Sequence, residues 1–174
     1  MTSTGVRAVT ISGPTIAVQT AVTVGAGLQL STFAILGASG HGGIDVTVQS
    51  NDTTRVLVSR DANTVGTAST TVNVPNGQTF VTYYVHGLEN VTGSATVTVS
   101  APGFTGGSHP VDVVPIGLEI QGLDSAQTNL SAADTDWYAL VGIPCLGNAQ
   151  LCTIQNLRPG GPPFIVTLTN TEGG

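Results

Sequence analysis

The sequence predicts an all-β protein of the immunoglobulin-like sandwich class, and three observations lead to that prediction. Threonine and valine occur 26 and 22 times among the 174 residues, and both are β-branched residues that fit a pleated strand. Short runs of alternating apolar and polar residues recur along the chain, with turn residues between them. No stretch of helical length carries an apolar stripe with the 3.6-residue period of a helix.

Each strand is predicted from an alternation of apolar and polar residues, and the turn signals mark where one strand ends and the next begins. These signals are rich in Gly, Asn, Asp and Pro, which favour the backbone conformations of hairpin loops. They fall at residues 37–43, 51–52, 75–77, 89–90 and 101–103. The predicted strands are residues 21–24, 44–49, 55–58, 68–74, 80–86, 95–100 and 111–114. Seven short strands in about 110 residues is the pattern expected of a sandwich.

A comparison of the chain with itself indicates a second copy of the same pattern. Residues 9–13 (VTISG) resemble residues 118–122 (LEIQG). The offset between the copies then grows from 108 residues at Ile35 and Ile143 to 120 residues at Val46 and Val166. Ordered matches of this kind are typical of tandem repeats.

The second copy ends where the first copy is half complete. We therefore predict an immunoglobulin-like β-sandwich over residues 6–115 and a partial second β-sandwich repeat over residues 116–174. Half a sandwich exposes strand edges and an apolar face. Another chain, or further sequence, is expected to complete it.

Charge and hydropathy argue against nucleic acid and against a membrane span. Four scattered arginines oppose ten carboxylates, whereas phosphate binding requires a basic stripe. The longest apolar stretch, residues 138–145, is too short to cross a bilayer. Residues 1–7 have neither the basic nor the apolar part of a signal peptide, so an exported chain would have lost its signal or be an excerpt.

Cys145 and Cys152 flank a Gly147-Asn148 turn and predict a hairpin tip closed by a disulfide. A loop of this size would stabilise the fold by roughly 2.5 kcal/mol. Two free thiols in a reducing compartment remain the alternative. The disulfide and a surface rich in Thr, Ser and Asn favour an extracellular or cell-surface location.

The sequence offers no catalytic, cofactor or metal site that survives inspection, and we predict that the protein is not an enzyme. Ser39 lacks the nucleophile-elbow pattern because His41 stands where glycine is required. The Gly40-His41-Gly42 run fails as a dinucleotide fingerprint because Asp45 occupies the third glycine position. A metal site would require the three histidines to converge, or a calcium loop to form from acidic residues, and surface solvation is preferred for the latter. The residues concerned are His41, His86, His109, Asp124, Asp134 and Asp136.

Three Asn-X-Ser/Thr acceptor sequons are possible glycosylation sites: Asn51, Asn90 and Asn129. Adjacent aromatic residues occur at Tyr83-Tyr84 and Trp137-Tyr138. Neighbours in a strand point to opposite faces, so one member of each pair is expected in the core.

The run from Asp45 to Phe104 resembles the bacterial immunoglobulin-like repeats that occur in tandem in large surface proteins, including the invasin and intimin stalks. The carrying segments are residues 44–52 (IDVTVQSND), 75–79 (PNGQT) and 93–104 (GSATVTVSAPGF). The resemblance implies a stalk, spacer or adhesive module without transferable catalytic residues. The cysteine loop and the Pro-Gly-Gly-Pro-Pro turn at 159–163 are not part of that pattern.

The expected function is therefore a non-catalytic structural or adhesive module of an extracellular surface protein or filament. Head-to-tail completion of strands or sheets would build a homo-oligomer or fibre through the C-terminal half repeat. Host or matrix glycans are possible partners. The alternative is a carbohydrate-binding module of a secreted protein, which predicts two or three coplanar exposed aromatic rings.

Overall fold

The computed structural model of the chain describes residues 12–122, 137–147 and 150–167. These residues form thirteen β-strands and no helix, so the prediction of an all-β protein is confirmed. No helix capable of spanning a membrane occurs in these ranges. The strands are β1 (Ile16–Val18), β2 (Val22–Gly25), β3 (Leu28–Leu36), β4 (Ile44–Ser50), β5 (Val56–Ser59), β6 (Ser69–Val74), β7 (Phe80–Gly87), β8 (Gly93–Ser100), β9 (Gly107–Val114), β10 (Gly117–Gln121), β11 (Tyr138–Pro144), β12 (Leu151–Ile154) and β13 (Asn156–Leu157).

Strands β1 to β9 form two facing sheets. The first sheet has the order β1-β3-β7-β5, and the second has the order β2-β9-β8-β4-β6. All pairs in these two sheets are antiparallel except β2 with β9, where Val22 to Gly25 lie parallel to Val111 to Val114. Since β1 and β2 follow each other along the chain but belong to different sheets, the chain crosses between the layers at residues 19–21.

Alternation along each strand builds the core between the sheets. In β8, for example, Ala95, Val97 and Val99 are buried, while the threonines between them face outward. Valines from the second sheet meet Leu28, Tyr83 and their neighbours from the first sheet in one continuous cluster. The sandwich prediction therefore holds at the level of architecture.

Strands β1 and β3 of the sandwich were not predicted from the sequence. Strand β3 was not predicted, because Phe33 and Ile35 on its outer face break the alternation of apolar and polar residues. Strand β5 lies at the edge of the first sheet although it precedes β6 of the second sheet along the chain. The immunoglobulin-like assignment stays a prediction.

Strands β10, β11 and β12 form a separate three-stranded antiparallel sheet. The predicted domain boundary at residues 115/116 falls in the short connector between β9 and β10. An offset of 108 places the counterpart of β3 at residues 136–144, where β11 lies, but residues 164–167 carry no strand to match β4. The second repeat and its boundaries stay predictions.

Candidate functional site

The candidate functional site is the place where the end of the chain returns to the first sandwich. Residues Gln155 to Arg158 follow β12 directly and dock on the exposed edges of β2 and β3. We call these four residues the C-terminal clasp. The residues that receive them, Thr23, Gly25, Gly27, Leu28, Gln29 and Glu89, are called the clasp seat.

The side chain of Gln155 forms hydrogen bonds with the backbone at the edge of β2, in place of a neighbouring strand. Its Oε1 accepts a hydrogen bond from the backbone N–H of Gly25 at 2.8 Å, and its Nε2 donates one to the carbonyl oxygen of Thr23 at 3.0 Å. The residue is only 5% exposed. Because unpaired backbone groups on a buried edge are costly, this side-chain amide takes the role of a neighbouring strand's peptide group.

The next two residues do the same for β3 with their backbone. Asn156 pairs with Gln29 and Leu157 pairs with Leu28, which makes β13 a short antiparallel strand on that edge. The Gln29 Nε2 donates to the carbonyl oxygens of Leu157, at 3.2 Å, and Ala62, at 2.9 Å. The C-terminal clasp therefore closes one edge of both sheets at the same end of the sandwich.

Arg158 fastens the end of the C-terminal clasp by an ion pair. Its Nε and Nη2 donate to the two carboxylate oxygens of Glu89 at 2.8 and 2.6 Å, and its backbone N–H donates to the carbonyl oxygen of Gly27 at 3.1 Å. Burial alone would raise the pKa of Glu89, but the hydrogen bonds and positive charge of Arg158 outweigh it and lower that pKa. The Arg158 side chain is 9% exposed, so the pair is largely shielded from water.

Gly27 allows the tight turn that presents a backbone carbonyl of the clasp seat to Arg158. It lies in the tight turn between β2 and β3 with a φ of 80°, a left-handed conformation that favours glycine. Its N–H donates to Gly87 of β7 at 3.0 Å, which holds the turn against the first sheet and points its carbonyl at Arg158.

The predicted disulfide is confirmed and lies at the far end of the hairpin that leads into the C-terminal clasp. Cys145 and Cys152 join the ends of β11 and β12, with their Cα atoms 4.8 Å apart. The N–H of Cys145 also donates to the carbonyl oxygen of Gln150 at 2.9 Å. The bond fixes the hairpin that presents Gln155.

Exposed apolar side chains are concentrated in the C-terminal part of the described chain. Nine of the twelve large apolar residues that are exposed in the described ranges lie beyond residue 117, although that part is much the smaller. We call these nine the C-terminal apolar surface. They are Leu118, Trp137, Tyr138, Leu146, Ile154, Leu157, Phe164, Ile165 and Val166.

The aromatic pairs behave differently from each other. Tyr83 is fully buried and Tyr84 is half-buried, as expected for one core member. Trp137 and Tyr138, in contrast, are 45% and 55% exposed, so the expectation that one of them packs in the core is wrong for the described residues. Within residues 12–122, 137–147 and 150–167, no second sheet covers the face that carries Tyr138.

Two of the three sequons lie in the described residues, on the surface of the sandwich. Asn51 is exposed, and its Oδ1 accepts a hydrogen bond from the backbone N–H of Thr96 at 2.7 Å. Asn90 is exposed in a turn with a φ of 59°, beside Glu89 of the clasp seat. Asn129 lies outside the described residues. Glycosylation of all three stays a prediction.

The histidines do not converge. His41 lies in the loop after β3, His86 in β7 and His109 in β9, and within the described residues no group of three or more His, Cys, Asp or Glu side chains is arranged to hold a metal ion. The acidic residues weighed for a calcium loop, Asp124, Asp134 and Asp136, lie outside the described residues. Ser39 lies in an exposed turn.

A buried serine–histidine pair that the sequence did not suggest occurs at Ser59 and His86. The Ser59 Oγ lies 2.8 Å from His86 Nε2, and it donates its own proton to the carbonyl oxygen of Asp61 at 2.7 Å. His86 Nε2–H is therefore the donor, which is the reverse of what activation of the serine requires. Both residues are buried, at 1% and 0% exposure, so the pair serves packing and hydrogen bonding.

A second polar network crosses the core between the two sheets. The Tyr83 hydroxyl lies 2.6 Å from His109 Nε2, and Thr32 donates to the side-chain oxygen of Gln19. Burial raises the pKa of Tyr83 above its ordinary range and lowers the pKa of His109. Both groups are therefore neutral at pH 7 and satisfy each other inside the sandwich.

The outer face of the first sheet carries one further feature. Phe33 and Phe80 stack with ring centroids 4.8 Å apart, and a cavity of about 320 Å³ lies beside Phe33 and Ile35 against residues 17–21. Phe80 is 55% exposed. The two rings cover each other and so do not form a coplanar pair.

The chain was compared with protein-family models and with curated proteins. No protein-family model matches it, and none of the curated proteins is similar enough to count as a match.

Proposed function

We propose that this protein is a non-catalytic structural or adhesive module of an extracellular or cell-surface assembly, joined head to tail to its neighbours through its C-terminal region. The observation that carries the proposal is the docking of a distant segment onto the free edges of β2 and β3. Edge addition of this kind is a recurring way in which β-proteins join one another.

The C-terminal apolar surface supports the same proposal. Soluble proteins rarely leave many large apolar groups exposed in one part of the chain unless a partner covers them. Here the exposed groups occupy the three-stranded sheet and the segment after the C-terminal clasp, including Ile154 at 59% and Ile165 at 82% exposure. A further unit of the same kind is the partner that the incomplete repeat predicts.

The disulfide supports a location outside the reducing cytosol. Disulfides persist in secreted, periplasmic and surface proteins and are rare in the cytosol. Cys145 and Cys152 are bonded to each other, and no free cysteine remains in the chain. This agrees with the few charges and abundant threonine of the sequence.

Sedimentation velocity and negative-stain microscopy over a range of protein concentrations test the proposal. We expect species that grow with concentration and appear as linear chains in the micrographs, because a head-to-tail contact leaves a free end on each unit. A single monomeric species at every concentration up to the solubility limit, with no linear particles, would refute it.

A carbohydrate-binding role is the second candidate, and the exposed Phe80 ring beside the cavity at Phe33 and Ile35 favours it. Aromatic rings contribute to sugar binding through their apolar faces. A glycan array would show saturable binding that Phe80→Ala abolishes. Equal signals for the variant and the parent protein would count against this site.

A further inference from the structure

We infer that the clasp seat is an interaction surface for the C-terminal clasp of a second copy of this chain. The inference rests on the proposed head-to-tail function and adds the surface through which it acts. The clasp seat is formed by β2, β3 and the turn after β7, while the C-terminal clasp belongs to a different part of the chain, more than 120 residues from β2 and β3 and 69 residues from Glu89.

The contacts are specific in both chemistry and register. The Gln155 side chain forms hydrogen bonds with an N–H and a carbonyl oxygen two residues apart on β2. Strand β13 pairs with two defined residues of β3. Arg158 then meets the one carboxylate, Glu89, that stands at the end of the turn. A partner with this combination of amide, strand and guanidinium is another copy of the same chain, because every copy carries the C-terminal clasp and its seat.

The connection between the two parts is short and can act as a hinge. Only Pro115 and Ile116 separate β9 from β10, and Ile116 is half-buried near Gly25 and Leu28. If this connector extends, the hairpin and the C-terminal clasp move away together and reach the clasp seat of a neighbour. The contacts formed are then identical, so concentration and connector length decide between the two arrangements.

The symmetry of the assembly depends on which copies exchange their C-terminal clasps. Two copies that exchange reciprocally form a closed dimer, and copies that each donate onward form an open chain. Both products use the same hydrogen bonds at Thr23, Gly25 and Gly27.

Charge reversal on the two sides of the ion pair tests the inference. The Glu89→Arg chain and the Arg158→Glu chain each place like charges together when the C-terminal clasp docks on its own seat. When the two chains are mixed, the Arg158→Glu clasp faces the Glu89→Arg seat with opposite charges. Fluorescence cross-correlation of the two differently labelled chains measures whether they associate.

We expect the mixture to associate at least about tenfold more tightly than either variant alone, since like charges at an interface repel and opposite charges attract. The double variant Glu89→Arg/Arg158→Glu should restore the behaviour of the parent protein. Arg60→Glu, which reverses a charge in a surface pair with Asp61, is the matched control and should leave association unchanged.

Absence of cross-association, with the double variant regaining the parent's stability, would show that the C-terminal clasp acts only within its own chain and would overturn the inference. Thermal unfolding of each single variant checks that the sandwich is folded. The proposed function would survive that result if sedimentation still showed linear assembly, because the C-terminal apolar surface would then be the contact. Loss of assembly in every assay would refute both.

Discussion

At the scale of single residues, Gln155 and His86 show how buried polar groups are satisfied differently. The Gln155 side chain uses both its donor and its acceptor on the edge of β2. His86 uses only Nε2, and its Nδ1 has no hydrogen-bond partner among the described residues. A buried nitrogen that lacks a partner resists protonation, because the charged form would be neither solvated nor hydrogen-bonded. Gln155 is therefore tested by substitution, and His86 by a change of pH.

Replacing Gln155 by alanine leaves the Gly25 N–H and the Thr23 carbonyl without partners. We expect the free energy of unfolding to fall by about 1–3 kcal/mol, the usual cost of unsatisfied buried groups. Urea denaturation monitored by tyrosine and tryptophan fluorescence measures the change. Gln78→Ala, at an exposed turn residue, is the control, and an equal effect of both variants would contradict the role of Gln155.

From the buried, neutral state of His86 we predict that the protein loses stability in mild acid. Burial, helped by the positive charge of Arg158, lowers the pKa of His86 from 6.5 to about 4. The folded state therefore disfavours protonation, so stability is complete above about pH 6.5, falls as the pH drops toward 4, and then levels off. The total loss amounts to about 3 kcal/mol.

Unfolding measured between pH 7.5 and pH 4 checks this prediction. In His86→Gln the loss should shrink, because the amide can still donate to Ser59 but does not titrate. The remaining slope comes from His109 and, near pH 4, from carboxylates such as Glu89 and Glu119, whose pKa values are also lowered. A parent protein with constant stability across this interval would show that His86 is not held neutral by the fold.

At the scale of elements, strands with strict alternation were predictable and strands with apolar outer faces were not. The predictions for β4, β7 and β8 match the structure to within two residues, because their outward positions are mostly polar. Strand β3 was missed because outward Phe33 and Ile35 pack beside Phe80 and β1 instead of facing water alone. Strand β13 is two residues long and exists only through its contact with β3, so no local pattern could predict it.

The candidate site was predictable only in part. The cysteine spacing located the disulfide, since the turn at Gly147 brings the two ends of the hairpin together. The clasp seat could not be foreseen, because it depends on a contact between residues more than 120 positions apart. Gln155 is one of eight glutamines in the chain, and nothing beside it in the sequence marks its partner.

The disulfide predicts a local effect on stability. In the Cys145→Ser/Cys152→Ser double variant, the β11–β12 hairpin loses the constraint on its unfolded state, worth roughly 2.5 kcal/mol. Amide hydrogen exchange in β11 and β12 should accelerate, while exchange in β8 and β9 of the sandwich core should stay slow. Uniform acceleration through the whole chain would instead indicate that the hairpin and the sandwich unfold as one unit.

At the scale of the whole molecule, a well-packed sandwich is joined to a thin sheet that exposes apolar groups on its surface. The sandwich buries thirteen of its valines, whereas Tyr138 and Ile154 of the three-stranded sheet are both more than half exposed. The sandwich therefore buries most of its own apolar side chains, whereas the three-stranded sheet leaves large ones exposed. We expect assembly to involve the three-stranded sheet.

Ile154→Ser should weaken self-association without lowering the free energy of unfolding, because the side chain is already 59% exposed and contributes little to folding. Sedimentation velocity measures the first quantity and urea denaturation the second. Ile35→Ser, on the outer face of the first sheet, is the matched control. Unchanged association in Ile154→Ser would exclude this part of the C-terminal apolar surface as a contact.

The parallel pairing of β2 with β9 has a mechanical consequence. Because the two strands run in the same direction, the start of β2 and the end of β9, where the chain leaves the sandwich, lie at opposite ends of this pair. Tension along a stalk would therefore slide the two strands past each other and load their evenly spaced hydrogen bonds together, instead of opening them one at a time. In the proposed head-to-tail assembly, a module built in this way would resist tension applied through its two neighbours.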